Sequence, residues 1–193
     1  MNIKYLLDHD FDVKTYTKGE VIYQPGTKPR YVYFIKSGKV KMVTVNADGN
    51  EFIQGIFKVN EYFGEPALIL DKPYLASTVA IQDAEIIPVT KEAFFKFLEN
   101  EHSFSLKLIQ DLSARLFYKS MMLEELANEQ AEHRVNTVIN YLLNDIRSGE
   151  QLNITRQQLA DMSGLRVETV IRAIRKSPKQ PIFKLIKGKI VKL

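Results

Sequence analysis

The sequence predicts an α+β protein: an N-terminal antiparallel β-barrel of the jelly-roll kind, then one long helix, then a small basic helical module. Three observations predict it. Between about Asp12 and Val89, short runs rich in β-branched and aromatic residues alternate with turn residues, as in an antiparallel barrel or jelly roll. After Thr90 the apolar residues recur at helical spacing, and no Gly or Pro interrupts residues 89–148. The charge then changes sign: residues 134–193 hold twelve Lys and Arg against four Asp and Glu, a net +8, whereas residues 1–133 carry a net −4.

The strands read in order as Tyr31–Ile35, Lys39–Val45, Glu51–Phe57, Ala76–Ile81 and Ala84–Val89. Lys36-Ser37-Gly38 separates the first pair and Ala47-Asp48-Gly49-Asn50 the second, where Asp-Gly is a strong hairpin signal. Gln24-Pro25-Gly26 and Asp71-Lys72-Pro73 mark further turns. Thr90 is a good N-cap for a helix beginning Lys91-Glu92-Ala93. From about Phe104 to Leu126, Leu108, Ile109, Leu112, Leu116, Leu123 and Leu126 form the apolar stripe of an amphipathic helix. That stripe needs cover, from its own domain or from a second copy of the chain. A further helix covers Val135–Leu143 and stops at Ser148-Gly149. The polar run Glu129–Arg134 coincides with the charge shift and sets the domain boundary.

The C-terminal module carries the most specific pattern. In Ile154–Leu165, Thr155 caps a short helix whose Leu159, Ala160 and Met162 face inward, and Gly164 suits the left-handed position of a sharp turn. In the helix that follows, Arg166 to Lys176, burial of Val170, Ile171 and Ile174 leaves Arg166, Val167, Glu168, Thr169, Arg172 and Lys176 facing outward. This is the spacing of a helix–turn–helix, whose second helix presents its first turns to base edges in the major groove. Arg172 has the two donors that match guanine O6 and N7, Glu168 can accept from cytosine N4, and Val167 suits a thymine methyl. Thr155, Arg156, Gln157, Arg166, Thr169, Arg175 and Lys176 suit backbone phosphates, which fix register without reading sequence. Pro178 and Pro181 end the helix. Lys187-Gly188 then turns a hairpin between Ile182–Ile186 and Lys189–Leu193, a wing whose Lys187 can meet the phosphate backbone. A basic module on an acidic body also suits a polyanionic partner.

Other chemistries find little support. Cysteine is absent, which excludes disulfides, thiolate zinc, iron–sulfur clusters and a thiol nucleophile. His9, His102 and His133 are scattered, and residues 12–89 contain no His for a barrel metal site. No P-loop, dinucleotide fingerprint or Ser-His-Asp spacing is present, so no enzyme, catalytic residue, metal or cofactor is expected. Met1–Asp8 lacks the apolar run and cleavage site of a secretory signal, and no stretch reaches the ~18 apolar residues of a membrane span. The expectation is a soluble cytoplasmic protein without a membrane partner.

Ile154–Ala160 with Arg166–Arg172, and Phe63-Gly64-Glu65-Pro66-Ala67-Leu68 earlier in the chain, resemble the bacterial cyclic AMP receptor/fumarate–nitrate regulator (Crp/Fnr) family over essentially all 193 residues. The resemblance implies a cyclic-nucleotide-binding-like effector domain over 1–102, a dimerisation helix over 103–130 and a winged helix–turn–helix over 131–193. It implies a transcription regulator that binds a two-fold symmetric operator as a homodimer through Ile109, Leu112, Leu116 and Leu123, and that touches RNA polymerase. Its effector pocket would take in Gly64, Glu65, Pro66, Ala67, Tyr74, Ala76 and Ser77, with Lys119 and Ser120 at the positions that face the base of a cyclic nucleotide. In members that bind cyclic AMP, the Glu of this motif takes the ribose hydroxyl and a following Arg neutralises the phosphate. Here Tyr74 falls at that Arg position, and Tyr supplies no cation. The expected effector is therefore an unidentified small molecule, or none. The alternative is a cyclic nucleotide held by Glu65 with Lys72 or Ser77, although Lys is a poor substitute for a bidentate Arg.

Overall fold

The computed structural model describes residues 11–127, 130–176 and 182–193. Met1–Asp8, residues 128–129 of the expected domain boundary and the helix-ending Pro178 and Pro181 lie outside the described residues. Two compact units divide between Asp111 and Leu112.

The first unit is a pair of four-stranded antiparallel sheets. One has the order β1-β8-β3-β6, from Lys14–Tyr16, Ala84–Thr90, Tyr31–Ser37 and Tyr62–Phe63. The other has the order β2-β7-β4-β5, from Val21–Tyr23, Ser77–Ala80, Val40–Val45 and Glu51–Phe57. The β4–β5 hairpin closes through Asn46, whose Oδ1 accepts the backbone N–H groups of Asp48 (3.0 Å) and Asn50 (2.9 Å). Such local capping by Asn fixes a turn without outside help. Side chains from both sheets meet in one core, in which Tyr23, Tyr33, Ile35, Val40, Phe57, Phe63, Tyr74, Ala84 and Ile86 are buried. In β3 the alternate residues are buried too, because Val32 and Phe34 face the helices that cover this sheet. Phe34 lies 6.2 Å from Phe104, which in turn meets Phe94 edge-on at 5.9 Å. Full burial on both faces explains why β3 reads as a continuous apolar run rather than an alternating one.

Helix α1 (Glu65–Leu70) follows β6, and α2 (Lys91–Asn100) follows β8. The expected cap of α2 is present: Thr90 Oγ1 accepts from Ala93 N at 3.3 Å. Helix α3 (His102–Ala127) is the expected long helix, 26 residues and so roughly 39 Å. The compact units divide within it rather than at either end, because Phe104 and Leu108 are buried and Tyr62 donates to Asp111 Oδ2 at 2.8 Å.

In the second unit, α4 (Ala131–Leu143), α5 (Arg156–Ser163) and α6 (Val167–Arg175) pack on one another around Val135, Val138, Ile139, Leu159, Val170 and Ile174. Helix α4 starts four residues before the Val135 expected from periodicity, because Arg134 turns inward and is 8% exposed. Strands β9 (Phe183–Ile186) and β10 (Lys189–Lys192) pair antiparallel as expected. Lys187 at φ 47 and Gly188 at φ 76 give the positive-φ pair that a two-residue hairpin turn requires. Lys192 Nζ donates to the carbonyls of Leu143 and Ile146, both at 2.8 Å, and so closes the end of α4 with a cation. Near the start of this unit, Tyr118 of α3 stacks on Tyr141 of α4 at 3.7 Å.

Phe63 is fully buried and touches the rings of Tyr23, Tyr33 and Phe57. Phe63→Ala is expected to cost about 3–5 kcal/mol of barrel stability. Urea denaturation followed by tyrosine fluorescence measures it, and a loss under about 1 kcal/mol would contradict this packing.

Candidate nucleic-acid interface

Helix α5 is fixed at both ends by its own sequence. Thr155 Oγ1 accepts from Gln158 N, while Gln158 Oε1 accepts from Thr155 N, both at 3.0 Å, so two helix-end donors are satisfied reciprocally. At the other end Gly164 sits at φ 66 and ψ 31, a left-handed conformation that a Cβ would strain. The chain leaves that turn into α6 with Arg166 as N-cap. One face of α6 (Val170, Ala173, Ile174) is buried, and the opposite face presents Glu168, Arg172, Arg175 and Lys176 to solvent. Val167, Thr169 and Ile171 are half-buried at the edges of that face. Of the residues assigned from sequence to base edges and phosphates on α6, Glu168, Arg172, Arg175 and Lys176 share one exposed surface, and Val167 and Thr169 lie at its edges.

Several of these residues have partners that the sequence did not signal. Arg156 is half-buried, and its Nη2 donates to the Gly188 carbonyl at 2.8 Å, tying the first helix of the pair to the tip of the wing. Gln157 Nε2 donates to Asp161 Oδ1 at 2.7 Å, one helical turn on. Lys176 Nζ donates to Glu132 Oε1 at 2.6 Å. The pairs at 156/188 and 132/176 join residues distant in sequence, and no local pattern announces them. Lys187 remains exposed at the wing turn.

In the barrel, the residues matched to an effector pocket gather around tyrosine rings. Gly64, at φ 90, is the N-cap of α1, and a Cβ there would lie 3.3 Å from the Tyr31 carbonyl and the Tyr33 ring, and 3.6 Å from the Tyr74 ring. Glu65 is fully buried beside it, Pro66 is exposed, and Ala67 is half-buried. Tyr74 is 5% exposed and stacks on Tyr23 at 3.7 Å with the planes 11° apart. Its hydroxyl donates to the Tyr31 carbonyl at 3.1 Å. Its backbone is pinned as well: Tyr74 N donates to Thr27 O at 3.1 Å, and Gly26 N donates to Tyr74 O at 2.8 Å. Burial, then the neighbouring Tyr23, pushes the Tyr74 hydroxyl up to about 12, so it stays neutral at physiological pH. Burial also raises the Tyr33 hydroxyl, which is hydrogen-bonded to that of Tyr74. Ala76 is buried and Ser77 half-buried, while Lys72 points to solvent. Lys119 and Ser120 belong to the second unit and are exposed, and Ser120 Oγ donates to the Leu116 carbonyl at 3.0 Å. Sequence reasoning named Tyr74 here but missed Tyr23, Tyr31 and Tyr33, whose crowding in one barrel was the available signal.

On helix α3, Ile109, Leu116 and Leu123 are 60%, 67% and 70% exposed, and Leu112 is half-buried. Phe117, on the same helix, is equally exposed. Among the described residues, no helix is long and apolar enough to cross a membrane, and no group of three His, Cys, Asp or Glu is placed to hold a metal ion.

Residues 13–101 match the family described as cyclic nucleotide-binding domain. Over the longer chain, the sequence is 26% identical across 180 residues to the cyclic AMP receptor protein of Thermus thermophilus, covering 93% of this chain and 83% of that one. It is 27% identical across 188 residues to the global nitrogen regulator of a Synechocystis species, covering 92% and 83%. A solved transcriptional regulator of the CRP/FNR family from Thermus thermophilus superposes with a TM-score of 0.67 at 24% identity, over 94% of this chain and 93% of that one. With the barrel, the long helix and the capped helix pair already established, these likenesses agree on one assignment: the chain belongs to the Crp/Fnr family of transcription regulators.

Proposed function

We propose that this regulator binds duplex DNA sequence-specifically through α6, as a homodimer on a two-fold symmetric operator, and that it does so without cyclic AMP. The observation that carries the reading is the exposed face of α6, where Glu168 and Arg172 stand one turn apart on a helix held by the Thr155 capping box and the Gly164 turn. Rigid presentation matters because base edges are read by groups held to within a fraction of an ångström. Arg172 and Glu168 are the hydrogen-bonding readers, and Val167 supplies an apolar contact for a thymine methyl. Thr155, Arg156, Gln157, Arg166, Thr169, Arg175, Lys176 and Lys187 face the backbone. RNA polymerase and a cytoplasmic setting go with that role.

The exposed Ile109, Leu116 and Leu123 support pairing of α3 with its copy, since an apolar stripe of this kind on a monomer loses free energy to water. Leu116→Glu is expected to shift the chain to a monomer in sedimentation analysis, and an unchanged dimer would remove α3 from the interface.

Two further experiments test the reading. In gel-shift assays against a randomised duplex library, Arg172→Ala should cost about 1–3 kcal/mol at preferred sites and flatten base preference. Arg156→Ala should weaken all sequences alike, through the lost charge and a looser wing. Equal loss of affinity and preference in both variants would refute the division of roles, and absence of salt-sensitive duplex binding would refute the reading as a whole.

The second experiment concerns the barrel. A buried neutral Tyr74 occupies the place of a phosphate-neutralising Arg, and a cyclic phosphate anion there would be desolvated without a cation. Cyclic AMP at about 1 mM should leave the Tm unchanged, whereas a ligand at 100 times its Kd adds ~2.7 kcal/mol. A Tm rise would revive the alternative in which Glu65, Lys72 and Ser77 hold a nucleotide.

A further inference from the structure

An open cleft of 230 Å³ lies beside the last two turns of α6, lined by Ala131 and Glu132 from the start of α4 and by Thr169, Arg172, Ala173 and Lys176. Lys176 closes α6 as its C-cap residue, and its ammonium is paired across the cleft with the Glu132 carboxylate at 2.6 Å. The two side chains are 61% and 46% exposed. A pair this accessible to solvent contributes little to stability. Its consequence is electrostatic: one of the cations on the outward face of α6 is already engaged by an anion, and that anion stands next to Arg172.

We propose that Glu132 sets the backbone affinity of this regulator, because its ion pair with Lys176 must open before that lysine can take a phosphate of the duplex. The proposal rests on the reading of α6 as the DNA-facing helix. The chemistry follows from charge. The ammonium of Lys176 offers donors to either a carboxylate or a phosphodiester oxygen, and two anions cannot close on the same group without repelling one another. Glu132 therefore acts against phosphate binding wherever the duplex meets the C-terminal end of α6. Its ion pair is made with Lys176, assigned to phosphate, and not with Arg172, so its effect falls on every duplex alike. The effect is to hold down non-specific affinity, which raises the ratio of specific to bulk binding on which a regulator depends.

The test is a double-mutant cycle on the full-length chain, with one preferred duplex and one unrelated duplex titrated over a range of salt. Glu132→Gln should tighten both duplexes by roughly tenfold at low salt, and steepen the slope of log K against log salt by about 0.9, the value of one more neutralised phosphate. Lys176→Gln should weaken both. In the Lys176→Gln background, Glu132→Gln should have less than about half its effect on a logarithmic scale. Thermal unfolding should be the same for all four proteins, as an exposed pair predicts. Two results overturn the proposal: an unchanged affinity and slope in Glu132→Gln, or a gain of the same size with and without Lys176, which would make Glu132 a diffuse repulsive charge. Absence of duplex binding by the unsubstituted chain is a different failure, because it overturns the DNA reading and this proposal with it.

Discussion

The second unit is organised around a guanidinium taken out of water. Arg134 is 8% exposed and is bound by backbone carbonyls: its Nη2 donates to Glu125 O at 3.3 Å and its Nη1 to Ser163 O at 3.4 Å. Both carbonyls lie in the last turn of a helix, where unsatisfied C=O groups gather the negative end of the dipole. One cation thus joins the ends of α3 and α5 to the first turn of α4, and Thr137 reinforces the joint by donating to Glu125 Oε1 at 3.0 Å. Burying a charge costs several kcal/mol, by order of magnitude, unless donors find partners, and Nε finds none among the described residues. Arg suits the joint because its planar fork presents several donors and can reach two carbonyls on two helix ends at once. Because α5 ends at the Gly164 turn, the direction in which α6 leaves depends on where this guanidinium holds Ser163.

The barrel solves a different problem by the opposite means. Apart from the buried Glu65 carboxyl beside Gly64, its centre is built of rings: Tyr23, Tyr33 and Tyr74 pack as apolar bodies, and the Tyr74 hydroxyl is satisfied by a carbonyl and a second hydroxyl. Tyrosine suits this place because it brings the area of Phe with a polar tip that needs only one partner. The left-handed Gly64 lets the backbone approach those rings to within van der Waals distance. The rings around Gly64 therefore offer hydrogen bonds and no cation.

Much of this was legible in the sequence wherever a local rule decides the structure. Asp48-Gly49 gave its hairpin, Thr90 and Thr155 their caps, Gly164 its left-handed turn and Lys187-Gly188 its wing, because each depends on residues within a few positions of one another. Strands β1, β2 and β6 were not read, since two or three residues carry no period. The start of α4 falls in the polar run assigned to the domain boundary because Glu132, His133 and Arg134 look solvated, and partners nine and 29 residues away explain the burial of Arg134. The tyrosine cluster brings position 74 onto positions 23 and 33, and the Lys176 pair spans 44 residues. Contacts of that separation are set by tertiary packing, which a single sequence does not display.

The charge asymmetry that first marked the C-terminal module needs a narrower interpretation in the light of these partners. Of the cations behind its formal +8, Arg134 is spent inside on helix carbonyls, Lys192 closes α4, Arg156 is bound to the wing carbonyl and Lys176 faces Glu132. Each still contributes to the long-range field that draws a polyanion, but a group already bound must give up its partner before it can close on a phosphate. Among the described residues, that leaves Arg166, Arg172, Arg175 and Lys187 as the exposed cations of the α6 face and the wing turn that are not committed in this way. The bound subset fixes the geometry of the module, so its net charge overstates the number of cations ready to close on a polyanion.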